Sequence, residues 1–198
     1  MQLFTVQTKE AYEAMMESGS LRIGEREAPF TLAVRESFIF EEAYAYVTER
    51  MRRYIGEAPK GCMYPIWAWY KYAGRRAPIK PRLYEEYGEQ MLITFRVPKK
   101  SVLLSDFNLY DAYCLHSLPM LPEEALAEYM RLQRERGGDA DVSFLLSFVK
   151  DASWERMFLP YADKALSDTK SYIQANVWEI KREQIVSAEL LQPSEIFF

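Results

Sequence analysis

Carboxylate and aromatic side chains, rather than histidine or cysteine, occupy the positions in this sequence that suggest chemistry. His116 is the single histidine, so a Ser-His-Asp or Cys-His site would have to include it. Cys114 lies next but one to it, and a nucleophile and its base seldom stand so close along a chain. Cys62 and Cys114 are too few for a zinc site, and we predict no metal centre. A structural or surface role is favoured for His116, and carboxylates are the preferred candidates for catalysis.

Asp106 is the carboxylate whose position best suits catalysis. It follows Val102 to Ser105, which read as the end of a strand, and functional groups are often mounted where a rigid element gives way to a loop. Beside a cleft, it would act as a general acid or base. The same carboxylate would also cap a helix that begins near Phe107. The sequence leaves both roles open.

The segment from Tyr64 to Tyr72 is the densest aromatic run of the chain and reads as a strand. Its alternation predicts two sets of side chains, Tyr64, Ile66, Ala68 and Tyr70 on one side and Pro65, Trp67, Trp69 and Lys71 on the other. Rings on one face could stack on a nicotinamide or a nucleobase. They could equally belong to a buried central strand, although proline is disfavoured in the middle of a sheet.

A cationic loop follows this strand. Lys71 to Arg82 contains five basic residues and no acidic one, in a chain whose net charge is −4. Arginines such as Arg75 and Arg76 suit phosphate groups, so the loop is a candidate contact for a nucleotide or nucleic acid. The alternative is an ordinary solvated loop.

Polar side chains also interrupt the penultimate strand, which we predict from Ile173 to Ile180. Gln174, Asn176 and Trp178 share one face of it, while Glu179 points the other way. Polar residues on a strand that is otherwise apolar face either solvent or a ligand. The sequence does not decide between the two.

The elements that carry these residues predict an α+β fold in a single domain, residues 1–198. Helices are expected from Lys9 to about Ser18, from near Ser37 to Gly56, from Pro122 to Arg136 and from Ser143 to Phe158. Strands are expected at Leu3–Gln7, Tyr64–Tyr72, Gln90–Val97, Val102–Asp106, Ile173–Ile180 and Ile185–Leu191. Scattered strands with short late connections favour a mostly antiparallel sheet flanked by helices. We expect the first strand to share a sheet with Tyr64–Tyr72 and Ile173–Ile180.

Composition and net charge limit the kinds of molecule that the protein is expected to bind and the compartment in which it is expected. The chain is 49% hydrophobic and carries a net charge of −4, so overall electrostatics do not favour nucleic acid or anionic membrane. No stretch approaches the length of apolar sequence that crosses a bilayer, and the first residues do not read as a signal peptide. Two free cysteines fit a reducing compartment. We therefore predict a cytoplasmic protein without membrane contact.

Several segments of the sequence resemble a bacterial family of domains of unknown function. They are Leu-Phe-Thr-Val-Gln-Thr, Tyr-Pro-Ile-Trp-Ala-Trp-Tyr, Val-Leu-Leu-Ser-Asp-Phe, Ser-Trp-Glu-Arg-Met-Phe and Ile-Gln-Ala-Asn-Val-Trp-Glu-Ile, in that order. The resemblance covers nearly the whole chain. It implies no established activity.

The sequence is also similar to ADP-ribosyltransferase-like proteins, especially the DNA-modifying toxin group. Those proteins open with a strand reading Leu-Tyr-His-x-Thr and a helix that ends in Gly, and they close with Gln-Ala-Glu-Val and one further strand. Leu3 to Gln7 matches the opening in position, and Gln174 to Val177 matches the closing strand. The NAD-contacting histidine of the family falls at Thr5, and its catalytic glutamate falls at Asn176.

This second resemblance implies a cleft that binds NAD. Its cofactor-binding residues would be Thr5, Gln7, Tyr64, Trp67, Trp69, Tyr70, Arg75, Arg76, Trp154 and Gln174, with the cationic loop over a pyrophosphate. An amide cannot act as a base, so Asn176 implies that the activity is lost, altered or carried by another carboxylate. The carboxylates that remain as catalytic candidates are Asp106, Glu155 and Glu179. The rival hypothesis is a non-enzymatic module that binds nucleic acid or protein through the same rings and loop.

Overall fold

The computed structural model describes residues 1–24, 38–76, 88–110, 131, 134–135, 155, 157–158 and 172–191. The predicted helices from Pro122 to Arg136 and from Ser143 to Phe158 lie almost entirely outside these residues. Trp154, Lys80 and Arg82, which were predicted to contribute to a site, also lie outside them.

The described elements are strands and helices in an α+β arrangement. In chain order they are β1 (Gln2–Thr8), α1 (Lys9–Ser18), β2 (Ser20–Arg22), α2 (Phe38–Tyr54), β3 (Ile66–Lys71), β4 (Gln90–Arg96), a 3-10 turn (Lys99–Ser101), β5 (Leu103–Asp106), α3 (Phe107–Tyr110), β6 (Ile173–Val177), β7 (Glu179–Lys181), a 3-10 turn (Arg182–Gln184) and β8 (Ile185–Leu190).

The main sheet contains six of these strands in the order β5-β6-β3-β1-β4-β8. Every neighbouring pair in it is antiparallel. The expected fold class is confirmed, and so is the expectation that β1, β3 and β6 share one sheet. The predicted strand from Ile173 to Ile180 is divided at Trp178, because its last residues, in β7, pair with β2 in a second, two-stranded sheet.

Local sequence signals explain the first strand and helix. Thr8 ends β1 and caps α1, with its Oγ1 accepting a hydrogen bond from the Ala11 amide at 3.2 Å. Gly19 ends the helix with φ of 89°, a left-handed conformation that glycine adopts without a Cβ clash. This tight connection lays α1 back against the sheet.

The main sheet has two differently composed faces. One, here called the α1 face, carries apolar side chains such as Leu3, Ile66 and Ile93, which form a core with Met15 of α1. The other, here called the α2 face, carries Leu103 and Trp67, which pack with Val47 and Met51 of α2 in a second cluster. Trp67 and Trp69 of β3 lie on the α2 face, and so do their partners Asn176 and Gln174 of β6. No described helix is long and apolar enough to span a bilayer.

Candidate functional site

A pocket of about 180 Å³ opens on the α2 face between β1 and β3. Its described lining is Phe4, Thr5, Val6, Trp67, Ala68, Trp69, Leu92 and Gln174. β1 pairs with β4 along its whole length, whereas among the described residues its pairing with β3 is confined to Phe4 and Trp69. The Thr5 hydroxyl closes the gap by donating to the Trp67 carbonyl at 2.7 Å. The pocket therefore lies where two central strands separate.

A strip of buried polar side chains adjoins this pocket on β5 and β6. Ser105 and Gln174 are directly opposite each other across the two strands, and Asn176 lies next along the same face. Ser105 and Asn176 are fully buried and Gln174 is 9% exposed. The Ser105 hydroxyl, the Gln174 carbonyl oxygen and both amide atoms of Asn176 have no hydrogen-bond partner among the described residues.

Unpaired polar atoms in such a place are costly, since leaving a buried donor or acceptor unsatisfied costs about 1–3 kcal/mol. Native structures keep few of them, and they mark sites that water, an ion or a ligand completes. Gln174 is the member of the strip that also lines the pocket. It can offer a hydrogen-bond acceptor to a molecule lying between the strands.

Aromatic rings continue from the pocket to the end of β3. Trp69 makes edge-to-face contacts with Phe107 and Tyr72, each with ring centroids 5.2 Å apart. Tyr72 in turn meets Tyr172 at 5.0 Å and is 39% exposed. The rings therefore form a continuous path from the pocket to the surface.

Tyr44 of α2 covers the other end of the pocket wall. Its ring contacts Trp67 at 5.4 Å and Tyr64 at 6.4 Å. Burial raises the pKa of Tyr44 to about 12, so the phenol stays neutral at physiological pH. Tyr64 reaches the site through this ring contact rather than as part of β3, since it forms only an isolated bridge to Ile23.

One prediction about the aromatic strand is wrong because its register shifts between Trp69 and Lys71. Lys71 was expected beside the tryptophans, but it is paired with Ile173 of the α1 face and is 9% exposed. A β-bulge adds a residue and turns the side chain that follows it to the opposite face. Tyr70 packs against the core of the α1 face with Ile66 and Ala68, as the alternation predicts, and so it does not share a face with Trp67.

The arginines of the cationic loop stand at the tip of β3. Arg75 and Arg76 are exposed, and the Arg76 guanidinium lies over the Tyr70 ring at 4.3 Å. Backbone hydrogen bonds between Tyr72 and Arg75 close a tight turn. Arg75 thus stands beside Tyr72 at the end of the aromatic path, while Arg76 is held by Tyr70.

The structure places Asp106 as a helix cap rather than in the pocket. Its Oδ1 accepts a hydrogen bond from the Asn108 amide at 2.9 Å, at the start of α3. Its cross-strand partner is Ile173, whose side chain belongs to the α1 face. Asp106 is therefore not brought together with Gln174 and Asn176.

The other two carboxylate candidates are held in ion pairs away from the pocket. Glu179 accepts hydrogen bonds from Arg22 at 2.8 and 3.0 Å across the two-stranded sheet. Glu155 is bound by Arg50, Tyr46 and Tyr54 of α2. Gln7 likewise has a local role, with its amide donating to Thr5 at 3.0 Å.

Sequence reasoning missed Ser105 and the pocket's apolar members Phe4 and Leu92. The alternation of Val102 to Ser105 carried a signal for Ser105, because it puts a hydroxyl at a buried position of an otherwise apolar strand. In the part of the chain that the structure describes, no three histidine, cysteine, aspartate or glutamate side chains converge on a metal position.

Comparison with known proteins gives one match. A family model described as Domain of unknown function (DUF3841) matches residues 2–186. No curated protein and no solved structure matches this chain.

Proposed function

Since the chain belongs to the family Domain of unknown function (DUF3841), whose description carries no activity, we propose its function from the site itself. The chain is an ADP-ribosyltransferase-like domain, and its pocket between β1 and β3 binds NAD or a related nucleotide. The observation that carries this proposal is the buried Gln174 oxygen, which has no hydrogen-bond partner among the described residues and belongs to a side chain that lines the pocket with Trp67 and Trp69.

The pocket suits one flat ring of such a nucleotide. Indole walls offer stacking surfaces that are worth about 1–3 kcal/mol per base in nucleic-acid complexes. The Gln174 oxygen accepts a hydrogen bond from a ring substituent that carries N–H, and this contact relieves its own unpaired state. Few convergent polar groups in a mostly apolar pocket are typical of small-molecule sites.

The phosphates of the nucleotide then extend towards the tip of β3. Arg75 and Arg76 are exposed there, and guanidinium groups bind phosphate oxygens in a bidentate manner. The ring path through Trp69 and Tyr72 connects the pocket to these cations. One ligand with a flat ring and a pyrophosphate uses both features.

Transfer of ADP-ribose to a macromolecular target is the activity we attach to this binding. The reaction breaks the bond between ribose and nicotinamide, and a nucleophile of the target attacks the same carbon. Its cationic transition state calls for a carboxylate, but the described lining of the pocket contains none. A carboxylate outside the described residues, or one supplied by the target, would be required for turnover.

A second candidate function is a non-enzymatic module that binds nucleic acid or protein. Asn176 favours it, because a buried amide stands where the resemblance places a glutamate and an amide is no base. The exposed Tyr72, Arg75 and Arg76 would then bind a partner directly. In this case the pocket forms part of the surface that binds the nucleic acid or protein.

Titration with NAD, followed by tryptophan fluorescence and calorimetry, tests the proposal. We expect Gln174→Leu to weaken NAD binding about tenfold or more, the scale of losing one hydrogen bond to a buried group. Gln2→Leu is the matched control, since Gln2 pairs with Arg96 and does not line the pocket.

Nicotinamide release, followed by chromatography, then separates the two functions. Release in the presence of a target supports transfer. Binding of NAD without release leaves a nucleotide-binding domain. Absence of NAD binding, with retained affinity for single-stranded nucleic acid or a protein partner, would replace the first candidate with the second.

A further inference from the structure

Three side chains of α2 hold Glu155 from one side. Tyr46, Arg50 and Tyr54 recur every fourth residue and therefore share one stripe of the helix. Arg50 Nε and the Tyr46 hydroxyl donate to Glu155 Oε2, the hydroxyl at 3.1 Å, and the Tyr54 hydroxyl donates to Oε1. Arg50 also pairs with Glu49 at 3.0 Å.

Glu155 keeps room for another donor and keeps its charge. A carboxylate accepts about four hydrogen bonds, and these contacts use two sites on Oε2 and one on Oε1. Burial alone would raise the pKa of Glu155, but the hydrogen bonds from Tyr54 and Arg50 outweigh it and lower the pKa. The side chain is therefore an anion at neutral pH, and the described residues leave one acceptor site on Oε1 unused.

A second pocket, of about 340 Å³, opens beside this carboxylate. Val102, Leu103, Leu104 and Phe158 give it an apolar lining. Met1 also lines it, and the terminal ammonium group of Met1 donates to the Val97 carbonyl at 2.6 Å. Tyr54 and Glu155 line it from one part of the fold, and Lys99 lines it from the turn before β5. Apart from its lining role, Lys99 has no carboxylate partner among the residues that the structure describes.

Among the residues that the structure describes, the pocket thus combines the half-buried Glu155 carboxylate, which has an unused acceptor site, with the exposed ammonium group of Lys99 and an apolar surface. A ligand that carries both an ammonium and a carboxylate group can contact both charged side chains, whereas a ligand with a single charge contacts only one. Removing a charge from water without a partner is costly, so this charge pattern favours a zwitterion. The apolar lining favours a zwitterion with a large hydrophobic part.

We propose that this second pocket binds a free α-amino acid with a large apolar side chain. The ammonium group donates to Glu155 Oε1, and the carboxylate accepts from Lys99. The side chain covers Leu103 and Phe158. The site shares no described lining residue with the pocket between β1 and β3, so it goes beyond the proposed nucleotide function.

Calorimetric titration of the unaltered protein with L-phenylalanine at low ionic strength is the first test. Phenethylamine lacks the carboxylate and 3-phenylpropionate lacks the ammonium group, while both keep the ring. We expect each to bind about tenfold or more weakly than L-phenylalanine, the scale of losing one charged hydrogen bond. Equal affinity of either analogue would overturn the proposal.

Matched variants then assign the two charged contacts. Glu155→Gln and Lys99→Gln are expected to weaken L-phenylalanine binding about tenfold. Glu49→Gln and Lys100→Gln are the controls. The first removes another carboxylate that pairs with Arg50, and the second removes the lysine next to Lys99, but neither residue lines the pocket. Both controls should bind within about twofold of the unaltered protein, since their charges are outside the pocket lining and are screened by solvent.

Two results contradict the proposal. One is the absence of heat with L-phenylalanine at about 10 mM, beyond which binding is too weak to be specific. The other is equal weakening by Lys99→Gln and Lys100→Gln, which would make the lysine effect one of general charge. If Glu155→Gln fails to fold, the comparison of the three ligands on the unaltered protein still decides.

Discussion

At the scale of residues, Glu155 joins α2 to a part of the chain 105 residues away from Arg50. Its carboxylate is the shared acceptor of a guanidinium and two phenols, so removing it leaves several donors unpaired at once. Because the folded state lowers its pKa below the ordinary 4.5, the unfolded state binds the proton more readily. The stability that Glu155 contributes is therefore present above pH 4.5 and is lost as the pH falls through the folded-state pKa.

Glu155→Gln is expected to lower the free energy of unfolding by about 1–3 kcal/mol at pH 7, the range for a hydrogen-bonded charged group. Urea denaturation from pH 7 to pH 3 checks this, and the difference from the unaltered protein should shrink below pH 4.5. The control, Glu49→Gln, removes an exposed partner of Arg50 and should cost less than about 1 kcal/mol. A difference that stays constant with pH would mean that the charge of Glu155 does not contribute.

Asn176 presents the opposite situation, a polar group that stabilises nothing by itself. Both of its amide atoms are buried and have no partner among the described residues. Replacing an unpaired buried amide by an apolar group of similar size is often neutral or stabilising. We expect Asn176→Leu to raise the free energy of unfolding by about 1 kcal/mol in chemical denaturation. Destabilisation by a similar amount would show that a bound water or ion satisfies the amide.

At the scale of elements, the turn after β3 contains a strained residue. Ala73 has φ of 47° and Gly74 has φ of 75°, so both central residues are left-handed, as hairpin turns of type I′ require. A residue with a Cβ costs roughly 1–2 kcal/mol in this conformation. Asparagine and glycine adopt it more readily.

We therefore expect Ala73→Gly to raise the free energy of unfolding by about 0.5–1 kcal/mol. The thermal midpoint should rise with it. The same substitution at exposed Ala45, in the middle of α2, is the control and should cost about 1 kcal/mol, because helical backbone favours alanine. Calorimetry of both variants measures the two effects. If both variants are destabilised equally, the turn carries no strain that glycine relieves.

The main sheet could be predicted well from the sequence because the residue patterns that indicate its strands and their neighbouring helix are local. Alternation in β1 and β4, the Thr8 cap and the Gly19 stop each depend on a few neighbouring residues. The position of Lys71 was not predictable in this way. Its face depends on the register shift in the pairing with β6, which joins residues about a hundred positions apart.

The candidate sites show the same division. Trp67, Trp69 and Gln174 could be found from the sequence because their types and alternation are unusual on a buried face. The separation of β1 from β3, which makes the pocket, results from tertiary pairing and has no local pattern. The contacts between α2 and Glu155 likewise bring together distant segments, and so Glu155 was predicted only as an isolated carboxylate.

At the scale of the whole molecule, the net charge of the chain is negative, whereas the charge at the tip of β3 is positive. The chain carries a net charge of −4, which weakens the approach of anionic ligands. Arg75 and Arg76 are nevertheless exposed together at the tip of β3, where the aromatic path from the pocket reaches the surface. A phosphate-bearing ligand is therefore guided by a local cationic site and should bind more tightly at low salt.

Replacing both arginines by glutamate tests this arrangement. We expect Arg75→Glu with Arg76→Glu to weaken NAD binding about tenfold or more at low ionic strength, because two charge-assisted contacts become repulsive. The melting temperature should change by only a few degrees, since both arginines are exposed and the contact of Arg76 with the Tyr70 ring contributes about 0.5–1 kcal/mol at an exposed site. The control, Arg52→Glu with Arg53→Glu, changes the net charge equally in the exposed last turn of α2 and should leave affinity nearly unaltered. An equal loss of NAD affinity in both double variants would indicate a response to the net charge of the protein. Unchanged affinity in the variant with Arg75→Glu and Arg76→Glu would mean that these arginines contact solvent and not the ligand.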